Sequence, residues 1–508
     1  MVKQGKVYII GAGPGDPGLI TVKALQCLRE ADVVIYDHLV SEEVLGLIGE
    51  NTRLIYAGKQ GAHHPLPQDD INSLILKEAG EGNVVARLKG GDPFIFGRGG
   101  EEAGLLAKAG LPFEIVPGVS SAVAVPAYAG IPLTHRGYSS TVTFITGHEA
   151  ATKEDSDIDW KAMAASGTLV VLMGVKNLSH IIANLTANGA DPATPAALIR
   201  WGTTPDQETI VASLGDIVRV AEEQHFRPPA VLVVGRVVGL REQLNWFEKK
   251  PLFGQGIVIT RPKEQAEEFA QLLRKQGAKV ILFPTIKIVP TTGGQKLDRA
   301  IRNVEAYQWL IFTSANGAKL FFQRFHELGR DIRDLKGVCI CTIGPATAAV
   351  VEERGIKVDL VPESFVAEGV VRAFQDRGIS GQRILLPRAE VARDVIPEGL
   401  TQLGAQVEVV NVYRTVSSGA EGGRLKELIS KGDIDVITFT SPSILKNFMA
   451  IMGEGFHLPA RIRIACIGPV TAAAVKKAGL KVDIMPEMYT IPGLVKAMVD
   501  FFCKVNNT

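Results

Sequence analysis

Cysteine is scarce, with five in 508 residues, no C-x-x-C spacing and no histidine pair at a metal-ligand interval. That excludes a disulfide framework and a structural zinc site, and an odd count without a framework points to a reducing compartment. Charge of either sign is also lacking in excess. The net charge of +1 gives no whole-molecule field to select nucleic acid or an anionic membrane, so any anion site must be local. No apolar run approaches the roughly 18 residues of a membrane span. The opening MVKQGKVYIIGAG has too short an apolar stretch for a signal peptide and reads as a first strand. The expectation is a soluble, cytoplasmic protein with no metal, no nucleic-acid partner and no membrane partner.

Glycine, by contrast, is abundant at 53 residues, while aromatics are only 6%. Many tight strand-to-helix turns of an α/β protein would use glycine in this way. The length calls for several domains. KVYIIGAG, ADVVIYD, NTRLIYAG and NVVARLKGGD read as strands, with ITVKALQCLREA and GEEAGLLAKAG as helices between them. Such alternation predicts mostly parallel sheets. A second block opens near EIVPGVSSAV, with strands TVTFITGH, TLVVLMG, PAALIR and AVLVVGRVV. The polar and aromatic stretch LREQLNWFEKKPLFGQG, broken at Pro251, marks the main boundary.

Beyond it the chain repeats itself. FTSANG matches FTSPSI, and TIGPATAAVVEERGIKVDLVPE matches CIGPVTAAAVKKAGLKVDIMPE. Ser314 and Ser441, Arg261 and Arg388, and Gly277 and Gly404 are each 127 residues apart, and Gly344 and Gly468 are 124 apart. A duplicated α/β unit predicts two similar domains with a ligand cleft between them.

Three small-residue turns carry the chemistry of the first half. GAGPGDPGLIT follows a strand and enters a helix, as a dinucleotide loop does, and Asp37 in VVIYD stands where a ribose carboxylate would. The spacing is wrong for that reading, and Pro14 and Pro17 remove N–H donors that a pyrophosphate needs. A donor-poor turn suits a neutral or cationic ligand. In RLKGGDPFIFGRGGEE, Gly90 and Gly91 allow close backbone approach and Asp92 adds a carboxylate suited to a sulfonium cation and its amino group. VPGVSSA adds a third such turn.

GAGPGDPGLIT, ADVVIYDHLVS, YAGK, KGGDPFIFGRGGEE, VPGVSSAVAVPAYAGIPLTHRG and VVLMG, in this order, resemble uroporphyrinogen-III C-methyltransferase from about Gly5 to Trp246. The resemblance implies two unlike α/β domains in a homodimer, using S-adenosylmethionine and releasing S-adenosylhomocysteine. It implies that Pro14, Gly90, Gly91, Asp92, Ile95, Ser120, Ser121, Met173 and Gly202 line the cofactor site. Asp37 matches the proposed proton acceptor and Lys59 the proposed proton donor. A substrate with eight carboxylates needs cations, for which Arg87, Lys89, Arg98, His135 and Arg136 are the candidates. The plain alternatives are a capping Asp37, a solvated Lys59 and a core Met173; His63 and His64 are adjacent, which is poor metal geometry.

The second half has no nucleophile–base pair, metal ligands or phosphate loop. Its small polar turns either bind carboxylates or cap helices. VVNVYRT, FTSPS, IGPVTAAA and IVITRP resemble uroporphyrinogen-III synthase over about Pro251 to Lys504. That implies two α/β domains joined by a two-stranded connector, with KVILFPTIKIV and QVEVVNVYRT crossing. It also implies a cofactor-free ring closure of hydroxymethylbilane, in which Tyr413 assists hydroxyl loss and Ser314, Thr347, Ser441 and Thr490 face the substrate. Arg261 and Arg388 are further candidates for its acid groups or, equally, surface residues. The expected architecture is therefore a tetrapyrrole methylase fold at 1–116 and 117–246, then a synthase-like fold with one domain at 251–284 and 413–508 and the other at 285–412. The combined expectation is cyclisation to uroporphyrinogen III, then two methylations to precorrin-2, on the route to sirohaem or cobalamin. The alternatives are a methyltransferase of another substrate with a non-catalytic binding module, or a nicotinamide oxidoreductase.

Overall fold

The computed structural model describes residues 5–49, 51–58, 67–147, 157–291, 295–419 and 422–506. The chain divides into two compact units, 1–256 with 271–280 and 498–508, and 257–270 with 281–497.

The first unit opens with strands β1 (Lys6–Gly11), β2 (Val33–Tyr36), β3 (Arg53–Tyr56), β4 (Val84–Lys89) and β5 (Phe113–Val116), in the spatial order β3-β2-β4-β1-β5. All four pairings are parallel. Apolar runs such as VYII belong in such a sheet because helices cover both faces. The side chains alternate accordingly. Tyr8, Ile10, Val34 and Leu88 join one core, while Val7, Ile9, Val33 and Val85 join the other. Because every strand points the same way, the turns after them emerge on one edge.

The second sheet contains β6 (Thr143–Thr146), β7 (Leu169–Leu172), β8 (Pro195–Arg200), β9 (Glu208–Ser213) and β10 (Ala230–Val234), in the order β6-β7-β10-β8-β9. Here the expectation of mostly parallel pairing fails. Only β6–β7 is parallel, and β7–β10, β10–β8 and β8–β9 are antiparallel. The physical reason is connection length. Trp201–Gln207 spans β8 to β9 as a short turn, which permits only an antiparallel neighbour.

The later strands are β11 (Gly256–Ile259), β12 (Lys279–Leu282), β13 (Ile286–Pro290), β14 (Trp309–Phe312), β15 (Cys339–Thr342), β16 (Arg383–Ala389), β17 (Gln406–Ser417), β18 (Val436–Phe439) and β19 (Arg463–Cys466). They form a sheet β12-β11-β18-β19 and a sheet β13-β17-β16-β14-β15. The long β17 pairs in parallel with β16 and then, past a register break, antiparallel with β13. Parts of the two segments expected to cross between domains, β13 and β17, thus pair with each other in one sheet. KVILFPTIKIV is not one strand: its first part is β12 and its second is β13.

The duplication persists in three dimensions. Asp359 accepts a hydrogen bond from the Ile340 amide and Asp483 from the Ile464 amide. Gly344 and Gly468 begin their helices in the same extended conformation, each followed by proline.

Candidate functional site

The parallel edge of the first sheet gathers Pro14, Asp37, Gly90–Asp92 and Ser120–Ser121. Their loops pack by glycine. Gly13 and Gly91 exchange backbone hydrogen bonds of 3.2 and 2.7 Å. Gly11, Gly91 and Gly118 touch so closely that a Cβ on Gly118 would lie 2.3 Å from the Gly91 oxygen. Asp92 ties the second turn to the third: its Oδ1 accepts from the Phe94 amide at 2.8 Å and its Oδ2 from the Gly118 amide at 3.1 Å. Ser120 caps helix Ser121–Tyr128, accepting from the Ala122 amide.

The first loop spends most of its donors within the protein. The amides of Ala12, Gly13, Asp16, Gly18, Leu19 and Ile20 all donate to protein acceptors. Pro14 and Pro17 have none to give. A phosphate cradle needs several free N–H groups at this place, so the geometry, like the spacing, counts against the dinucleotide reading.

Loops of the second sheet meet this edge. Asp16 donates its amide to Thr203 Oγ1 at 3.1 Å, and its carboxylate accepts from the Tyr128 hydroxyl at 2.6 Å. The Tyr128 phenol is pushed well above its ordinary range by burial first and by that hydrogen bond second. Gly202 leaves no room for a side chain, since a Cβ would lie 2.4 Å from Val125 Cγ1. Met173 follows β7 and is 50% exposed, so it is not the plain core residue of the alternative reading.

Backbone strain is concentrated here. Among the described residues six non-glycines have positive φ, and five of them are Phe96, Arg98, Met173, Trp201 and Thr203. Each costs about 1–2 kcal/mol. Such strain persists only where surroundings impose it, and it clusters at functional sites. Ile95, on the turn with Phe96, is likewise exposed. Spacing in the sequence carried no signal for this strain.

The charged candidates divide into two groups. Arg98 is exposed and makes a bidentate pair with Glu101 at 2.9 and 2.8 Å. His135 and Arg136 lie on an exposed turn closed by the His135–Ser139 bridge and held by Arg236, which donates to the Gly137 and Tyr138 carbonyls. Arg87 and Lys89, expected to meet substrate carboxylates, do not. They are 3% and 5% exposed and both bind Glu102 beneath the loop. Their i, i+2 spacing on a strand covered on both faces turns them inward. Glu102 was missed because nothing in its spacing distinguishes it from the exposed Glu101.

Asp37 Oδ1 accepts from the Leu39 amide at 3.1 Å, and its Oδ2 lies 3.5 Å from Arg87 Nη2. Lys59, His63 and His64 lie outside the described residues.

In the second half, the parallel strands β14, β15 and β16 bring Ser314, Thr347 and Arg388 to one edge. Ser314 caps helix Ala315–Glu327, and its Oγ is 3.1 Å from the Tyr413 hydroxyl. Thr347 is buried in the first turn of helix Pro345–Glu352. Ser441 caps helix Pro442–Met452, and Thr490 caps the last helix in the same way, its Oγ1 accepting from the Gly493 amide at 3.1 Å. Arg388 pairs with Asp394, and Arg261 with Gln265. Of these residues, the structure brings Ser314 and Tyr413 into direct contact. Among the described residues no cluster of His, Cys, Asp or Glu is arranged to hold a metal, and no helix is long and apolar enough to cross a membrane.

Comparison with known proteins bears on both halves. Residues 6–218 match the model of the Tetrapyrrole (Corrin/Porphyrin) Methylases, and residues 267–496 match that of Uroporphyrinogen-III synthase HemD. The Porphyrin biosynthesis protein HemD of Ruminiclostridium josui is 38% identical over 98% of this chain and 98% of its own. A Uroporphyrinogen-III C-methyltransferase of Bacillus subtilis strain 168 is 48% identical over 49% of this chain and 96% of its own. The crystal structure of a Uroporphyrin-III C-methyl transferase from Thermus thermophilus, complexed with S-adenyl homocysteine, is 41% identical; it covers 46% of this chain and 99% of its own, with a TM-score of 0.40. The chain belongs to the tetrapyrrole methylases in its first half and to the uroporphyrinogen-III synthases in its second, joined in one polypeptide.

Proposed function

We propose that the second half closes hydroxymethylbilane to uroporphyrinogen III, inverting the last ring and losing water, and that the first half methylates that product twice to precorrin-2. The observation that carries the methyltransferase reading is the donor-spent, glycine-packed loop around Pro14, set beside the exposed Met173 and the strained turns. It has surface for a flat, partly apolar, cationic ligand and few free amides for a phosphate. Pro14, Gly90, Gly91, Asp92, Ile95, Ser120, Ser121, Met173 and Gly202 would hold S-adenosylmethionine. When bound, that molecule supplies an electrophilic methyl group at a sulfonium centre.

The chain's own residues then bind and orient. Loops that pack through glycine are stiff, and stiffness holds a nucleophilic pyrrole carbon in line with its target. Asp37, at a strand end and partly open, accepts the proton released from the ring system, with Lys59 as donor. Arg98, His135 and Arg136 are exposed and meet the carboxylates. In the second half Ser314, Thr347, Ser441 and Thr490 face the bilane, and Tyr413, hydrogen-bonded to Ser314, assists departure of the hydroxyl. The synthase needs no cofactor because its work is selecting one closure geometry. The methyltransferase half forms a homodimer.

Incubating the full chain with hydroxymethylbilane and S-adenosylmethionine tests both readings. The expected product is heavier than uroporphyrinogen III by two methyl groups. Type I isomer alone would overturn the synthase, and an unmethylated type III product would overturn the methyltransferase.

A further inference from the structure

A sheet that only needed stability would not bury Arg87, Lys89 and Glu102 together. Desolvating each ion costs several kcal/mol, and apolar residues of like volume serve as well or better. Yet all three are at most 5% exposed, and among the described residues Glu102 Oε2 is buried with no hydrogen-bond partner. The arrangement around Arg87 is directional. Its Nε donates to Glu102 Oε1 at 3.2 Å, and its Nη1 donates to the carbonyls of Ile35 and Leu88 at 3.3 and 3.2 Å. The guanidinium plane is thereby fixed, and Nη2 is left 3.5 Å from Asp37 Oδ2. Arg87 is closed to solvent, while the Asp37 side chain is 23% exposed. A ligand can therefore reach Asp37 but not the cation behind it.

We propose that Arg87 and Glu102 are positioning residues for the methyltransferase: Glu102 anchors the buried guanidinium, and Arg87 aims the Asp37 carboxylate. This rests on Asp37 being the proton acceptor. Among the described residues, further groups bear on Asp37. The Leu39 amide holds its other oxygen. Tyr56, on β3, and Lys89, on β4, both sense its charge. Lys89 and Gln68 share Glu102 Oε1 at 2.8 and 3.1 Å. Burial first, and Arg87 second, hold the Lys89 ammonium below its usual range, so Glu102 is what keeps two adjacent cations in place. Glu102 also lies in the first turn of helix Gly99–Lys108, directly after the second glycine loop. The base and that loop thus share one anchor.

The test is the kcat and KM of methylation by the full chain in Arg87→Gln, Arg87→Lys, Glu102→Gln, Glu102→Asp and Asp37→Asn. Arg87→Gln and Glu102→Gln should lower kcat roughly tenfold or more and leave KM for S-adenosylmethionine within about twofold, as expected for loss of an effect on the reacting step. Arg87→Lys should recover part of the rate, because it restores charge without the planar fork. Asp37→Asn with Arg87→Gln should be no slower than Asp37→Asn alone. A folded Arg87→Gln with unchanged kcat overturns the proposal. If that variant does not fold, unchanged kcat in both Arg87→Lys and Glu102→Asp overturns it. Full activity of Asp37→Asn would instead sink the base reading beneath it.

Discussion

The hydroxyls of Ser314 and Tyr413 lie 3.1 Å apart, although 99 residues separate them in the chain. Ser314 Oγ at the same time accepts from the Gly317 amide at 3.0 Å. Tyr413 is 9% exposed and sits at the register break of β17, where Arg388 pairs with Asn411 and Ala389 with Tyr413. A bulge of that kind re-aims the next side chain. Tyr413→Phe should slow formation of uroporphyrinogen III roughly tenfold and raise the type I fraction, with a stability loss of only about 1 kcal/mol. Ser314→Ala should lose about 1 kcal/mol of helix capping with a smaller rate effect. Chromatographic isomer ratios and thermal melts check both, and wild-type turnover in Tyr413→Phe would rule out its part in the closure.

Gly118 and Gly91 make a graded pair. A methyl group on Gly118 meets the Gly91 oxygen at 2.3 Å and Gly11 Cα at 2.7 Å, whereas one on Gly91 finds its nearest atom at 3.6 Å. Gly118→Ala should therefore cost about 1–3 kcal/mol through overpacking and abolish S-adenosylhomocysteine binding. Gly91→Ala carries the strain of φ +67°, about 1–2 kcal/mol, and should weaken binding less. Calorimetric titration of both variants measures the order.

The Tyr128–Asp16 hydrogen bond makes a pH prediction. The folded state holds the Tyr128 phenol protonated beyond its ordinary range. Its contribution is fully present below the unfolded pKa near 10 and is lost as pH rises above that value. Tyr128→Phe should cost about 1–2 kcal/mol at pH 8. The gap between wild type and variant should narrow above pH 10. A gap that stays constant in melts from pH 8 to 11 would contradict the bond.

Thiol chemistry reports on the cores. Burial pushes Cys341 and Cys466 up to about 12 and raises Cys27. Cys503 is exposed. Native protein treated with an aromatic disulfide reagent at pH 8 should label Cys503 first, and Cys503→Ser should remove the fast phase. Cys27, Cys341 and Cys466 should react only after unfolding, because the thiolate is the reacting form.

Local physics made much of this legible in the sequence. Strand runs such as KVYIIG and VVARLK, the serines before helices and the doubled FTS and IGP turns are patterns of period and capping, and these depend on neighbours within a few residues. The split of KVILFPTIKIV falls at Pro284, which lacks the N–H a strand interior uses, but the different sheets that the two parts join were not legible, because both parts are apolar and only their partners differ.

The amino-acid sequence by itself determined the α/β class, the duplication, the glycine turns and the proline positions that take two donors from the first loop. Tertiary structure alone decided that Arg87 and Lys89 turn inward to Glu102, that the Gly13 and Gly91 amides satisfy each other, and that the second sheet is largely antiparallel. Each of those depends on which chain segment lies across from a residue. A strand's period fixes only the face a side chain takes, and the partner on that face comes from another part of the chain.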